Sequence, residues 1–172
     1  MIPDAYYKSI FDIDYNKLKK IGIKNIFFDI DNTIIPYKEY EISKKTKELF
    51  KDLKKDFNVF LFSNSPRKRV LRIAKELDID AYYFSMKPLK RNYKKILNMF
   101  NRNNCVFIGD QLLTDVLGAK KNRLKVILVN RIKEYEPFTT KFWRIIEKQY
   151  LKKYEEKKIF KINDFYDRLK NI

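Results

Sequence analysis

The 172-residue chain has no histidine, one cysteine and three glycines, and each shortage removes a class of chemistry. Without an imidazole base, proton transfer falls to carboxylates, lysine or water. A single thiol excludes an internal disulfide, a CxxC pair and a Cys/His zinc site. That thiol, Cys105, sits in Asn104-Cys105-Val106-Phe107-Ile108-Gly109-Asp110, an apolar run that reads as a buried strand. A cysteine phosphatase carries arginine six positions after its nucleophile; here that position is Gln111, so Cys105 reads as an inert buried thiol. Gly22, Gly109 and Gly118 cannot build a Walker A loop or a GxGxxG fingerprint. No apolar run approaches the roughly 20 residues that span a bilayer. The first residues lack the basic-then-apolar layout of a secretory signal, so a soluble cytoplasmic protein is expected.

Hydrophobic residues make up 45% of the chain, enough for a core at this length and against disorder. With no repeat and no low-complexity linker, residues 1–172 are expected to form one domain. The net charge of +17 suggests an anionic partner. Much of it is lysine accompanied by abundant Ile, Asn, Tyr and Phe, which A/T-rich codons alone would produce. Its distribution says more. Residues 81–109 contain no acid yet carry Lys87, Lys90, Arg91, Lys94, Lys95 and Arg102, and a second basic stretch runs over 120–161.

Strand and helix signals alternate. Asn25–Ile30, Asn58–Phe62, Ala81–Phe84, Val106–Ile108 and Lys125–Val129 read as short strands. Helices are expected over Ser43–Lys55 with Ser43 as N-cap, from Pro66 to Leu77, over Asn92–Phe100 and over Thr114–Lys121. This alternation predicts a mainly parallel central sheet covered on both faces, with ligands at the carboxyl ends of the strands. Polar residues gather at those ends: Asp29, Asp31 and Thr33 after the first strand, Ser63 and Asn64 after the second, Lys87 after the third, Asp110 and Asp115 after the fourth.

Asp29 and Asp31, one residue apart past a strand, can reach one site, where their repulsion calls for a cation or a proton. Mg²⁺ is the natural hard cation for carboxylates and phosphate oxygens. With the cation, Asp29 can attack phosphorus as a carboxylate, splitting one hard hydrolysis into two steps. Asp31 can protonate the leaving oxygen and then deprotonate water. Ser63 and neighbouring backbone N–H groups can hold phosphoryl oxygens, and Lys87 adds positive charge. Asp110 offers another metal carboxylate beside Gly109, and Asp115 can orient a metal-bound water or Lys87. Thr33 and Asn64 are expected to contact substrate. Taken singly these residues have ordinary readings: a loop DxD, a turn serine, a solvated lysine, Asp115 as a helix cap. In order, each after a strand, they form a far less accidental set.

That set resembles the motifs of the haloacid dehalogenase (HAD) phosphohydrolases: Asp29-Ile30-Asp31-Asn32-Thr33 as DxDxT, then Ser63, Lys87 and Gly109-Asp110-Gln111-Leu112-Leu113-Thr114-Asp115. The resemblance covers roughly 22–130, leaving 131–172 as a basic, helical C-terminal extension. It implies an HAD-like Rossmannoid three-layer α/β/α fold. It also implies Asp29 as nucleophile, Asp31 as acid/base, and Mg²⁺ held by Asp29, Asp110 and the Asp31 backbone carbonyl, with Asp115 at the metal site. Pro3–Gly22, Leu18–Lys24, the Lys87-Pro88 pair and Thr140-Lys141-Phe142 look like the YqeG family, HAD subfamily IIIA. That family is similar to mitochondrial phosphatidylglycerophosphate phosphatases, which implies this lipid as substrate. One departure is Ile34-Ile35-Pro36-Tyr37, where a tryptophan near Tyr37 is expected.

Asn64 follows Asp31 by 33 positions and Lys87 follows Ser63 by 24, which leaves no room for a cap domain. A capless, open site suits a phosphate carried on something bulky: a lipid headgroup, a nucleic-acid end or a protein. Thr139–Tyr154, read as a helix, places Phe142, Trp143, Ile146, Tyr150 and Tyr154 on one side, with Lys141, Arg144, Lys148 and Lys152 on the other. Such a helix either packs its apolar side on the sheet or lies on an anionic membrane, and the first is favoured. The leading expectation is a phosphatidylglycerophosphate phosphatase at the inner membrane face. The alternatives are a phosphatase of nucleotides or nucleic-acid ends, and an HAD-fold accessory of ribosome assembly.

Overall fold

The computed structural model describes residues 2–133, 138–156 and 164–165. Within them seven strands form one sheet: β1 (Ala5–Tyr7), β2 (Asn25–Phe28), β3 (Asn58–Phe62), β4 (Asp80–Tyr82), β5 (Cys105–Gly109), β6 (Lys125–Val129) and β7 (Asp164–Phe165). Their order is β4-β3-β2-β5-β6-β1-β7, parallel throughout except for the antiparallel edge pair of β7 with β1. Among the described residues, six α-helices accompany them: α1 (Tyr15–Lys20), α2 (Lys44–Leu53), α3 (Arg67–Leu77), α4 (Lys90–Met99), α5 (Leu117–Lys121) and α6 (Phe138–Glu156).

The strands are apolar on both sides because both faces are covered. Successive side chains alternate between two cores. Ile26, Phe28, Val59, Leu61, Val106 and Ile108 pack with Leu18, Phe50, Leu53, Val70, Ile73 and Leu77 from α1, α2 and α3. Phe27, Phe60, Phe62, Phe107, Val126 and Leu128 pack with Tyr93, Ile96, Ala119 and Tyr154 from α4, α5 and α6. The rings of Phe27 and Phe60 stack at 5.0 Å, and Phe62 meets Tyr93 at 4.9 Å. The result is the expected three-layer α/β/α Rossmannoid arrangement.

Chain direction across the sheet reverses between β2 and β5. From β2 the chain runs outward through β3 to β4, then returns to β5 and continues outward the other way through β6. The strand ends flanking such a reversal form a crevice. Phe28 is level with Leu61 and Ile108, so Asp29, Ser63 and Asp110 emerge within two residues of one sheet edge. Between β2 and β3 stands α2 as the only helix, and between β3 and β4 only α3, so no inserted domain stands over that edge.

Several boundaries differ from expectation. Ser43 does cap α2, its Oγ accepting from Thr46 N at 3.1 Å. Pro66 is itself the N-cap of α3. The third strand ends at Tyr82, because Phe84 and Met86 adopt positive φ and leave the ladder. The segment expected to be one helix from Thr114 is a single π-helical turn, Leu112–Val116, running into α5. Strand β1 was not legible, since three residues after Pro3 pair with a strand some 120 positions away. Cys105 is fully buried, and burial pushes its thiol up to about 11, as an inert thiol requires. No described helix is long and apolar enough to cross a membrane. Helix α6 buries Glu147 and Tyr154 and leaves Ile145 and Tyr150 exposed. The side chains of Lys141, Phe142, Trp143 and Arg144 lie outside the described residues.

Candidate active site

Asp29 is the first residue beyond β2, and its N–H still bonds the Ile108 carbonyl at 2.9 Å, which fixes the backbone against β5. Its carboxylate meets Lys87, whose Nζ lies 2.5 Å from Asp29 Oδ1 and 2.6 Å from Asp115 Oδ1. All three are buried, and the ammonium also stands 5.2 Å from the Phe107 ring centroid. Burial raises Asp29 from its ordinary 3.8 to about 7; Lys87 opposes the rise, while Asp115 and Asp31 add to it. For Lys87 burial favours the neutral amine, but the Asp115 and Asp29 charges more than offset this and hold it protonated.

Asp110 completes the cluster. One carboxylate oxygen from each of Asp29, Asp110 and Asp115 lies within 4.8 Å of the others. Three buried carboxylates facing one ammonium leave an excess of negative charge, and an all-oxygen donor set of this kind fits a divalent cation. Thr33 Oγ1 reaches Asp110 Oδ1 at 3.5 Å. Gly109 makes the arrangement possible, since a Cβ there would overlap Cγ and Oδ2 of Asp115. The π-turn folds Asp115 back far enough to accept from Gln111 N at 3.0 Å, so Asp115 orients Lys87 rather than capping a helix.

Asp31 stands apart from the carboxylate cluster. Its Oδ2 accepts from Ser65 Oγ at 2.6 Å and from Arg69 Nη1 at 2.9 Å, and its Oδ1 from Lys38 N at 3.1 Å. Asn32 follows at φ +61°, a conformation that asparagine tolerates, and its Oδ1 accepts from Tyr37 N and Lys133 N. Ser63 is buried, and its Oγ accepts from Ser65 N at 3.2 Å. The Asn64 amide is committed to the Lys87 backbone: Lys87 N donates to Oδ1 at 2.8 Å and Nδ2 donates to Lys87 O at 3.2 Å. Ser85 ties the same loop down, with N and Oγ both donating to Ser63 O.

Three contributors escaped the sequence reading. Ser65 and Arg69 hold Asp31. Glu147, buried on α6, accepts from Leu113 N at 2.9 Å and so braces the π-turn that carries Asp115. A signal for Arg69 existed: it falls four residues before Ile73 and eight before Leu77, on the buried stripe of α3.

Comparison with known proteins gives the family. The haloacid dehalogenase-like hydrolase family model matches residues 36–122. The probable phosphatase YqeG of Bacillus subtilis (strain 168) is 35% identical over 153 residues, covering 87% of this chain and 89% of that protein. Among solved structures, the HAD-hydrolase YfnB from Bacillus subtilis, bound to magnesium, superposes with a TM-score of 0.55 at 13% identity, over 67% of this chain and 90% of its own. An HAD-like family hydrolase from Porphyromonas gingivalis gives 0.54 at 15% identity, over 72% and 98%. At those identities the two structures bear on the fold alone. A doubly covered parallel sheet, an acidic cluster at its reversal point and a relative alike over nearly the whole length lead to one assignment: the chain belongs to the haloacid dehalogenase-like hydrolases and is a phosphatase of the YqeG family.

Proposed function

We propose that the chain is a Mg²⁺-dependent phosphomonoesterase that dephosphorylates phosphatidylglycerophosphate at a membrane surface through an aspartyl-phosphate intermediate. The observation that carries the chemistry is the buried Asp29–Lys87–Asp115 chain beside Asp110, at an edge that no inserted domain covers.

Asp29 is the nucleophile. Its free carboxylate oxygen attacks phosphorus, and the phosphorus–oxygen bond to the glycerol breaks as Asp31 delivers a proton to the departing oxygen. Water then attacks the phosphorus of aspartyl phosphate and loses a proton to Asp31. The phosphorus–Asp29 oxygen bond breaks, releasing inorganic phosphate and regenerating the carboxylate. Lys87 and the Ser63 hydroxyl neutralise and orient the phosphoryl oxygens, and Thr33 steadies Asp110. Asn64 acts on substrate through the Lys87 backbone it holds. Asp29, Asp110, Asp115 and the Asp31 carbonyl would hold Mg²⁺, which supplies the charge that keeps Asp29 ionised and lets an anionic phosphate approach.

The lipid reading has three supports: the open edge, the basic surface, and the likeness of the YqeG family to phosphatidylglycerophosphate phosphatases. We read residues 1–172 as one domain, because Tyr154 of the extension lies in the second core. A phosphate-release panel tests the substrate. Phosphatidylglycerophosphate in detergent micelles is expected to turn over with Mg²⁺, and the Asp29→Asn protein to lose at least about a thousandfold. Good turnover of nucleotides or sugar phosphates with none of the lipid would overturn the lipid assignment.

A further inference from the structure

Between β4 and α4 the chain alternates inward and outward. Ser85 and Lys87 point into the protein, at 0% and 7% exposure, whereas Phe84, Met86 and Leu89 are each 55% exposed. Tyr83 is also exposed, and its ring meets Phe84 edge-on at 6.0 Å. This display does not come from a loose loop. Two bonds from Ser85 to Ser63 O and two between Asn64 and the Lys87 backbone pin it to the end of β3. Phe84 and Met86 sit at φ +47° and +49°, a region that bulky L-residues rarely occupy. Backbone strain held by surrounding bonds, while presenting apolar side chains to solvent, points from the outlier to a use.

The surroundings are basic. Arg67 stands over the Tyr83 ring at 5.5 Å, Lys68 and Lys94 are exposed, and residues 81–109 contain no acid. An apolar tip flanked by Arg67 on a chain of net charge +17 matches the edge of an anionic bilayer, where side chains enter the acyl boundary and ammonium or guanidinium groups meet headgroup phosphates. The same loop carries Lys87. A surface that receives Phe84 and Met86 therefore lies against the loop that holds this lysine.

Resting on the lipid-phosphatase reading, we propose that the 83–89 loop is a membrane-docking prong, with Phe84, Met86 and Leu89 entering an anionic bilayer and setting the catalytic edge at headgroup height. The test is co-sedimentation with phosphatidylglycerol vesicles, with phosphatidylcholine vesicles as the neutral control. Neither lipid carries a phosphomonoester, so binding is read apart from turnover. The wild-type chain is expected to pellet with the anionic vesicles. The Phe84→Ser/Met86→Ser protein is expected to bind them at least about tenfold more weakly, from the lost burial of two large side chains. Its release of phosphate from vesicle-embedded phosphatidylglycerophosphate is expected to fall in parallel, with hydrolysis of soluble p-nitrophenyl phosphate kept within about threefold. Phe84→Trp retains binding, which separates lost apolar bulk from damage to the loop. Equal vesicle binding by the double variant, or none by the wild-type chain, would overturn the proposal. So would a wild-type dimer in sedimentation that the double variant abolishes with vesicle binding unchanged, since a second copy would then occupy the prong. If binding behaves as expected but the lipid in micelles is not hydrolysed, the docking stands and only the substrate is wrong.

Discussion

Arg69 Nη1 donates to Asp31 Oδ2 at 2.9 Å, and Nη2 of the same guanidinium donates to the Glu39 carbonyl at 2.9 Å. One fork thus ties α3 both to the Asp31 carboxylate, the proposed acid/base, and to the loop that follows it. Arg69 is buried and Asp31 nearly so, so the pair is shielded from the screening that weakens surface ion pairs.

Replacing Arg69 with methionine keeps the stem and removes the fork. The Asp31 carboxylate loses its charged partner, keeping only Ser65 Oγ and Lys38 N, and the Glu39 carbonyl loses the guanidinium donor, which is expected to lower stability by about 3 kcal/mol. Asp31 then samples other rotamers, so kcat on p-nitrophenyl phosphate is expected to fall by about 10- to 100-fold with a smaller change in KM. Arg69→Lys restores charge but not the two-point fork and should recover only part of kcat. Urea unfolding and steady-state kinetics on the three proteins check this. A methionine variant with wild-type kcat would show that Arg69 is merely structural.

Gly109 permits a second, sharper perturbation. In Gly109→Ala the new Cβ overlaps the Asp115 carboxylate, which must swing away from Lys87 and from Gln111 N. Overpacking of this kind is expected to cost about 2 kcal/mol of stability. Affinity for the divalent cation should weaken by about 10- to 100-fold, as when a group supporting a metal ligand is lost. Isothermal titration with Mg²⁺ reads the second effect apart from the first.

The fold and most of the site were legible because a parallel sheet writes its function simply. Apolar runs end in Asp29, Ser63 and Asp110, and those ends share one edge. The rest depended on long-range packing. Arg69 follows Arg67 and Lys68 in sequence, and of the three only Arg69 is buried. The π-turn could not be seen, because one extra residue per turn leaves no mark on the apolar pattern of Leu112, Leu113 and Val116. Tyr83 and Phe84 have strand composition, yet the loop pinned through Ser85 takes Phe84 out of the ladder. Glu147 was hidden among lysines, since the helical pattern of residues 139–154 places the helix on the sheet but marks no acid for burial.

The raised Asp29 makes stability depend on pH, with a sign that the metal should reverse. Its carboxyl rises from 3.8 to about 7, chiefly through burial. Between those values the folded chain keeps a proton that the unfolded chain releases, so stability falls as pH rises across the window, and the loss is complete above about 7. In EDTA, Tm is therefore expected to drop from pH 5 to pH 8. In the proposed function Mg²⁺ is held by the ionised cluster, so the Tm gain on adding it should grow over the same interval. A metal-induced gain independent of pH would contradict the placement of Asp29 in the cation site.

Glu147 predicts that the C-terminal helix takes part in the chemistry at a distance. Its Oε1 accepts from Leu113 N, inside the turn that presents Asp115 to Lys87. In Glu147→Leu that half-buried N–H loses its acceptor, which is expected to cost about 1 kcal/mol. A slack turn lets Asp115 drift, so Mg²⁺ affinity should weaken several-fold while kcat at saturating Mg²⁺ recovers most of its value. Glu147→Gln keeps an acceptor at the same place and should lie between the two. Kinetics as a function of Mg²⁺ concentration separate this from a purely structural role: a brace on the metal-site turn moves the Mg²⁺ midpoint, whereas a remote packing defect lowers Tm and leaves that midpoint unchanged.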